Sequence, residues 1–109
     1  MAGTFVRERL LITSDSRPLL PSHIKLRYDN ARRRWIILAP ERVFDPDDTA
    51  VAVLRLADGQ RSVAAIVAAL ARDYEAPVDE IRTDVMAMLQ DLADKGVMTA
   101  NLEQRHERQ

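Results

Sequence analysis

The segment WIILAPERVF (residues 35–44) determines how the N-terminal part of this 109-residue chain folds. Its apolar run, residues 35–39, follows three arginines and is typical of a buried strand. Pro40 has no amide hydrogen and cannot lie inside a central ladder, so the strand is expected to end there. The segment Arg42-Val43-Phe44 is then predicted to form a short third strand at the edge of the sheet.

The segment before it, HIKLRYD (residues 23–29), carries the alternation of a half-buried strand. Ile24, Leu26 and Tyr28 alternate with Lys25 and Arg27, so apolar and charged side chains point to opposite faces. The intervening DNAR is rich in turn-forming residues, which makes residues 24–39 a predicted β-hairpin.

Three amphipathic helices are predicted after the strands. Asp45 is expected to cap the first helix with Pro46 at its first position, and Gly59 is expected to end it in the left-handed conformation. Ser62 is expected to cap the second, VAAIVAALARDY (residues 63–74). The third is expected from about residue 78 to residue 95, because its apolar stripe stops before Gly96.

The order of hairpin, edge strand and three short helices predicts an α+β fold of the winged helix-turn-helix type. The folded domain is expected to cover residues 18–100, with a last short strand at residues 97–98. Residues 1–17 are expected to form an N-terminal arm that is either disordered or swapped between two copies in a homodimer. Residues 101–109 are expected to be a polar tail.

The residues that catalysis or metal binding would need are missing or scattered. The chain has no cysteine, only three glycines, and two histidines, His23 and His106, about eighty residues apart. These counts argue against a thiolate metal site, a phosphate-binding glycine loop and a catalytic triad. The carboxylates of Asp45, Asp47 and Asp48 are explained by helix capping, although a hard-cation site is the alternative. No enzyme activity, catalytic residue, metal or cofactor is therefore predicted.

The N-terminus and the apolar segments bear on the compartment. The first sixteen residues contain no apolar core of the kind found in secretory signals, and no stretch approaches the roughly 20 apolar residues of a membrane span. A cytoplasmic protein that does not contact membranes is expected.

The distribution of charge argues against DNA binding. Residues 1–42 hold nine Lys/Arg against four Asp/Glu, and residues 43–109 hold seven against thirteen. The third helix, which would read DNA in a winged helix, has a net charge of −3, so phosphates would repel it. The basic residues lie on the hairpin instead. DNA binding by this basic wing, or another protein-interaction role, remains the alternative.

Peptide recognition fits the pattern better. The edge strand Arg42-Val43-Phe44 carries backbone groups that an extended peptide can pair with. The groove between this edge and the third helix is expected to be apolar where Val43 and Phe44 approach Val85, Met88 and Leu89. Met86 lies about 100° off their stripe, and an adaptable side chain there is predicted to contact a partner.

The chain resembles the PqqD family of pyrroloquinoline quinone (PQQ) biosynthesis from residue 18 to about residue 99. The resemblance is carried by RYD (residues 27–29), WIILAPE (35–41), LADG (56–59), SVAAIVAAL (62–70) and DVMAMLQDLADKGV (84–97). No single motif is specific, but their order and spacing together are.

The resemblance implies a peptide chaperone with the fold of the recognition elements that act on ribosomally made, modified peptides. Such a protein binds the precursor peptide PqqA and presents it to the radical SAM enzyme PqqE, which cross-links a Glu and a Tyr within the peptide. It also implies that the peptide adds as a strand to the third β-strand and lies against the third helix. The predicted peptide-binding residues are Glu41, Arg42, Val43, Phe44, Arg82, Val85, Met86 and Leu89.

Overall fold

The structure, a computed structural model, describes residues 9–101. The predicted α+β fold, with a hairpin, a short third strand and three helices, is confirmed. One short strand precedes the hairpin and another follows the last helix. In chain order the elements are β1 (Arg17–Leu19), β2 (Lys25–Asp29), β3 (Arg34–Ala39), β4 (Arg42–Phe44), α1 (Asp48–Leu56), α2 (Val63–Tyr74), α3 (Val78–Asp94) and β5 (Thr99–Asn101).

The three central strands form an antiparallel sheet in the order β2-β3-β4. Pro40 and Glu41 make the two-residue turn between β3 and β4, which confirms that the strand ends at the proline. Leu26, Ile37 and Phe44 lie side by side in one row of the sheet and pack on the hydrophobic core. β4 is therefore an edge strand with one face on the core.

The three helices supply most of the remaining core. Val53 of α1, Val63 and Ile66 of α2, and Val85 and Leu89 of α3 are all essentially inaccessible to solvent. Burying a side chain of this size stabilises the fold by roughly 1.5–3 kcal/mol. These buried contacts fix the position of α3 relative to α1 and α2.

The two predicted helix caps have different outcomes. Ser62 caps α2 as predicted, since its hydroxyl accepts a hydrogen bond from the Ala65 N–H at 3.1 Å. The prediction of Asp45 as the cap of α1, with Pro46 at its first position, was wrong. Asp47 caps that helix instead: its backbone is extended and its carboxylate accepts from the Ala50 N–H at 2.8 Å.

A second, two-stranded sheet joins the two ends of the described chain. β1 pairs with β5, so the last strand lies at residues 99–101 rather than at the predicted 97–98. Val97 and Met98 are buried in the core instead. The Asn101 side chain donates to the Gly59 carbonyl at 2.8 Å, which makes this residue part of the fold rather than of the predicted polar tail. Residues 102–109, including His106, lie outside the described residues.

The N-terminal segment, residues 9–16, is packed on the helices. The Ser16 and Ser14 carbonyls accept hydrogen bonds from the first two N–H groups of α2, which would otherwise lack partners inside the helix. Gln90 of α3 accepts from the Ile12 N–H at 2.9 Å and donates to the Leu10 carbonyl at 2.8 Å. The predicted separate arm, residues 1–17, therefore differs from the structure over residues 9–17, and residues 1–8 lie outside the described range.

An ion pair closes the start of this segment. The Arg9 guanidinium donates two hydrogen bonds of 2.8 Å to the Asp94 carboxylate at the end of α3. These hydrogen bonds hold the pKa of Asp94 below its ordinary value. The segment is thus fixed to α3 by both side-chain and backbone contacts.

Candidate functional site

The outer edge of β4 has backbone groups available for pairing. A two-residue turn closes on a hydrogen-bonded pair, here Ala39 with Arg42, and bonded and non-bonded pairs then alternate along the ladder. Leu38 and Val43 are therefore the non-bonded pair, and the N–H and C=O of Val43 point away from β3. Within residues 9–101, no strand pairs with this edge.

A cleft of about 220 Å³ lies between β4 and α3. The side chains of Phe44, Met88 and Leu92 make its apolar part, and Ile37 lies at its base. The remaining lining residues are Asp45, Pro46, Asp47, Ala50, Asp91 and Lys95. The cleft is thus apolar in its middle and charged at its rim.

A second cleft, of about 320 Å³, continues past the other end of β4. Lys95 lines both clefts, which places them next to each other along the strand. The second is lined also by His23, Ile24, Ala39, Pro40, Glu41, Arg42, Gly96 and Val97. We call the two together the β4–α3 groove. Residues of β4 line both clefts, so an extended segment lying in the groove would run beside this strand.

Contacts within the groove order its side chains. The Arg42 guanidinium lies 4.8 Å from the centre of the Phe44 ring, a cation–π contact worth about 0.5–1 kcal/mol when exposed. Lys95 pairs with Asp91 at 2.9 Å across one turn of α3. These contacts hold the phenyl ring and the lysine in place before any partner binds.

The predicted site residues of the strand and its turn lie at this groove. Glu41, Arg42 and Phe44 line it directly. Val43 offers its backbone to the same edge, but its side chain projects from the opposite face of the sheet and is 52% exposed.

Of the α3 residues predicted to lie at the groove, Met88 lines it, but the predicted peptide-binding residues of α3 lie elsewhere. Val85 and Leu89 are 1% and 0% exposed, so they support the helix from the core and present no surface to a partner. Arg82 pairs with Asp79 on the exposed first turn. Met86 is half-buried against the core, not exposed as predicted.

Met86 also lies on the side of α3 away from the β4–α3 groove. It lies one turn before Gln90, which binds the N-terminal segment, and about 160° around the helix from Met88. The groove residues from α3 are Met88, Asp91 and Leu92, and Lys95 follows directly after the helix. Their helical spacing marks one face of the helix, but the sequence does not say on which side of that helix β4 lies.

Residues 9–101 contain neither a candidate metal site nor a candidate membrane-spanning helix. Among residues 9–101, no three His, Asp or Glu side chains come together in a way that could hold a metal ion. No helix in the same range is long and apolar enough to cross a membrane.

Together, the open strand edge and the adjacent helix define a small winged-helix-like domain with a groove beside one edge of its sheet. The sequence profile of the family described as Coenzyme PQQ synthesis protein D (PqqD) matches residues 34–98. A "PqqA binding protein" of Rhodopseudomonas palustris (strain HaA2) is 61% identical over 88 residues, which are 81% of this chain and 86% of that protein. The chain belongs to the PqqD family.

Two further similarities relate the fold to fused proteins. The solution structure of the PqqD truncation of Methylobacterium extorquens PqqCD, described as a functional and stand-alone RiPP recognition element, is 43% identical with a TM-score of 0.70. The match covers 83% of this chain and 95% of that one. The "Bifunctional coenzyme PQQ synthesis protein C/D" of Methylorubrum extorquens is 46% identical over 74% of this chain, which is 22% of that protein.

Proposed function

We propose that this protein binds the precursor peptide PqqA as a strand added to the free edge of β4, with the peptide side chains in the β4–α3 groove. The observation that carries the proposal is the outward-facing backbone of Val43 beside the apolar side chains of Phe44, Met88 and Leu92. The names and the solved structure of the relatives support the same choice of ligand.

Recognition then divides between backbone and side chains. Hydrogen bonds to Val43 hold any extended segment, because backbone groups are the same in every peptide. Alternate side chains of the added strand point towards α3, where the apolar part of the groove selects among them. Val85 and Leu89 act only indirectly, by keeping α3 at a fixed distance from the sheet.

We propose further that the bound peptide is presented to the radical SAM enzyme PqqE, which cross-links a Glu and a Tyr in it. This protein supplies affinity and position rather than catalysis, and it acts in the cytoplasm. Holding the peptide beside the enzyme raises its effective concentration, to about the millimolar range for short tethers. A homodimer formed by swapping the N-terminus stays a prediction.

An amide ¹H–¹⁵N titration tests the binding site. The protein is titrated in turn with PqqA and with a duplex DNA at moderate salt. We expect PqqA to shift the amides of residues 41–45 and of the α3 face around residues 88–95, and DNA to shift none. Shifts confined to Lys25, Arg27 and residues 32–34, seen with DNA alone, would make the protein a nucleic-acid-binding winged helix.

A further inference from the structure

The outer face of the three-stranded sheet, opposite the core, combines an apolar strip with a basic band. Lys25, Leu38 and Val43 form one row across the three strands, and Arg27 and Ile36 lie opposite each other in the next. β3 and β4 thus contribute the apolar side chains, of which Ile36 is buried, Leu38 is half-buried and Val43 is exposed, while β2 contributes the two cations. We call this surface the outer face.

Among residues 9–101, the basic band has no carboxylate paired with it. Lys25 and Arg27 are exposed and form no ion pair with any carboxylate among residues 9–101, whereas the neighbouring Arg32 and Arg34 pair with Asp29 and Asp45. Beside them, Val43 is 52% exposed. A partner that covered this face would gain both apolar burial and charge pairing.

The outer face is separate from the groove although β4 contributes to both. Successive side chains of a strand point to opposite faces, so Arg42 and Phe44 face the groove while Val43 faces away from it. A peptide paired with the edge of β4 would place alternate side chains beside Val43 but would leave the outer face over β2 and β3 uncovered. The sheet can therefore hold two partners at once.

We propose that the outer face docks an acidic surface of the enzyme that modifies the bound peptide, an inference that rests on the proposed function. The apolar strip favours a protein over a phosphate backbone, which would leave Leu38 and Val43 exposed to water. Three strands span roughly 10 Å and β3 roughly 20 Å, so the face is small and the complex is transient. Charge then contributes more to the rate of association than to the lifetime of the complex.

The test compares charge reversals at matched positions. Arg27→Glu alters the outer face, and Arg72→Glu makes the same change in charge on an exposed site of α2. Binding of purified PqqE and of PqqA is measured separately for each variant at low and at moderate salt. We expect Arg27→Glu to weaken PqqE binding about tenfold at low salt and less at moderate salt, because ions screen exposed charges. PqqA binding is expected to stay within about twofold, and Arg72→Glu to behave like the wild type.

A second variant, Leu38→Gln, tests the apolar strip and is expected to weaken PqqE binding without affecting PqqA. Unchanged PqqE affinity in both outer-face variants, or an equal loss with Arg72→Glu, would overturn the proposal. The proposal would also be overturned if the wild type self-associated or bound duplex DNA and Arg27→Glu abolished that binding, because either result would assign the outer face to another partner. Failure of the wild type to bind PqqA would instead refute the proposed function, while PqqE binding through Arg27 would still report on the docking face.

Discussion

Replacing Val43 with proline tests strand addition with little disturbance to the fold. The Val43 N–H points away from β3, so proline removes no hydrogen bond of the sheet. Proline is accepted in edge strands, and it requires an extended residue before it, which Arg42 provides as part of β4. The stability of the free protein is therefore expected to change by less than about 1 kcal/mol.

The loss of peptide affinity follows from the same geometry. Proline removes the donor of one backbone hydrogen bond to the peptide, worth about 0.5–1.5 kcal/mol, and leaves a peptide carbonyl without its partner. Together these effects cost about 2 kcal/mol, which corresponds to a roughly thirtyfold increase in Kd.

Calorimetric titration with PqqA measures this change. The matched control is Val43→Ala, which keeps the N–H and shortens a side chain that faces away from the groove, so its Kd is expected to stay within about twofold of the wild type. If Val43→Pro binds as tightly as Val43→Ala while both remain folded, the peptide does not pair with β4 at this position.

Three further changes probe the groove, a loop and an ion pair. Both Met86 and Met88 are half-buried against the core, so both alanine variants should lower stability, but only Met88→Ala is expected to weaken PqqA binding several-fold, because Met88 lines the groove; a calorimetric loss of affinity in Met86→Ala alone would put the peptide on the other side of α3. Gly59→Ala should lower the free energy of unfolding in urea by more than Gly96→Ala. Both glycines have positive φ, but only at Gly59 would an added Cβ come close to other side chains. Equal losses in the two variants would show that the side chains around Gly59 move to make room. The ion pair with Arg9 lowers the pKa of Asp94 in the folded protein. Its contribution to stability is therefore present above the unfolded pKa of about 3.9 and is lost as the pH falls through the folded pKa. Asp94→Asn should flatten the acid side of the curve of unfolding free energy against pH, and an unchanged curve would contradict this.

The elements that local patterns determine were predictable from the sequence. Alternation in HIKLRYD and the proline after WIILA predicted the hairpin and its edge strand, and Ser62 marked the start of α2. The cap of α1 was misplaced because two aspartates two residues apart both suit an N-cap. Only the backbone path after β4 decides that Asp47 is the one in position.

Long-range contacts were not predictable in this way. β1 is three residues long and pairs with a strand about eighty residues later, so no local sequence pattern predicts it. The N-terminal segment is held by hydrogen bonds to its backbone and by the pairing of Arg9 with Asp94, and both link residues far apart in the sequence. The strand half of the site was predicted from the free edge, whereas the helix half required knowing which side of α3 lies beside β4.

Hydrogen exchange at the Val43 amide, followed by NMR with and without PqqA, tests the central proposal most directly. In the free protein this N–H has no partner in the sheet, while the Phe44 N–H, which faces β3, serves as an internal reference. If PqqA adds as a strand, saturating peptide slows Val43 exchange on the order of tenfold or more and leaves the reference little changed. Val43 exchange that stays at its free rate while PqqA is fully bound would contradict strand addition at β4.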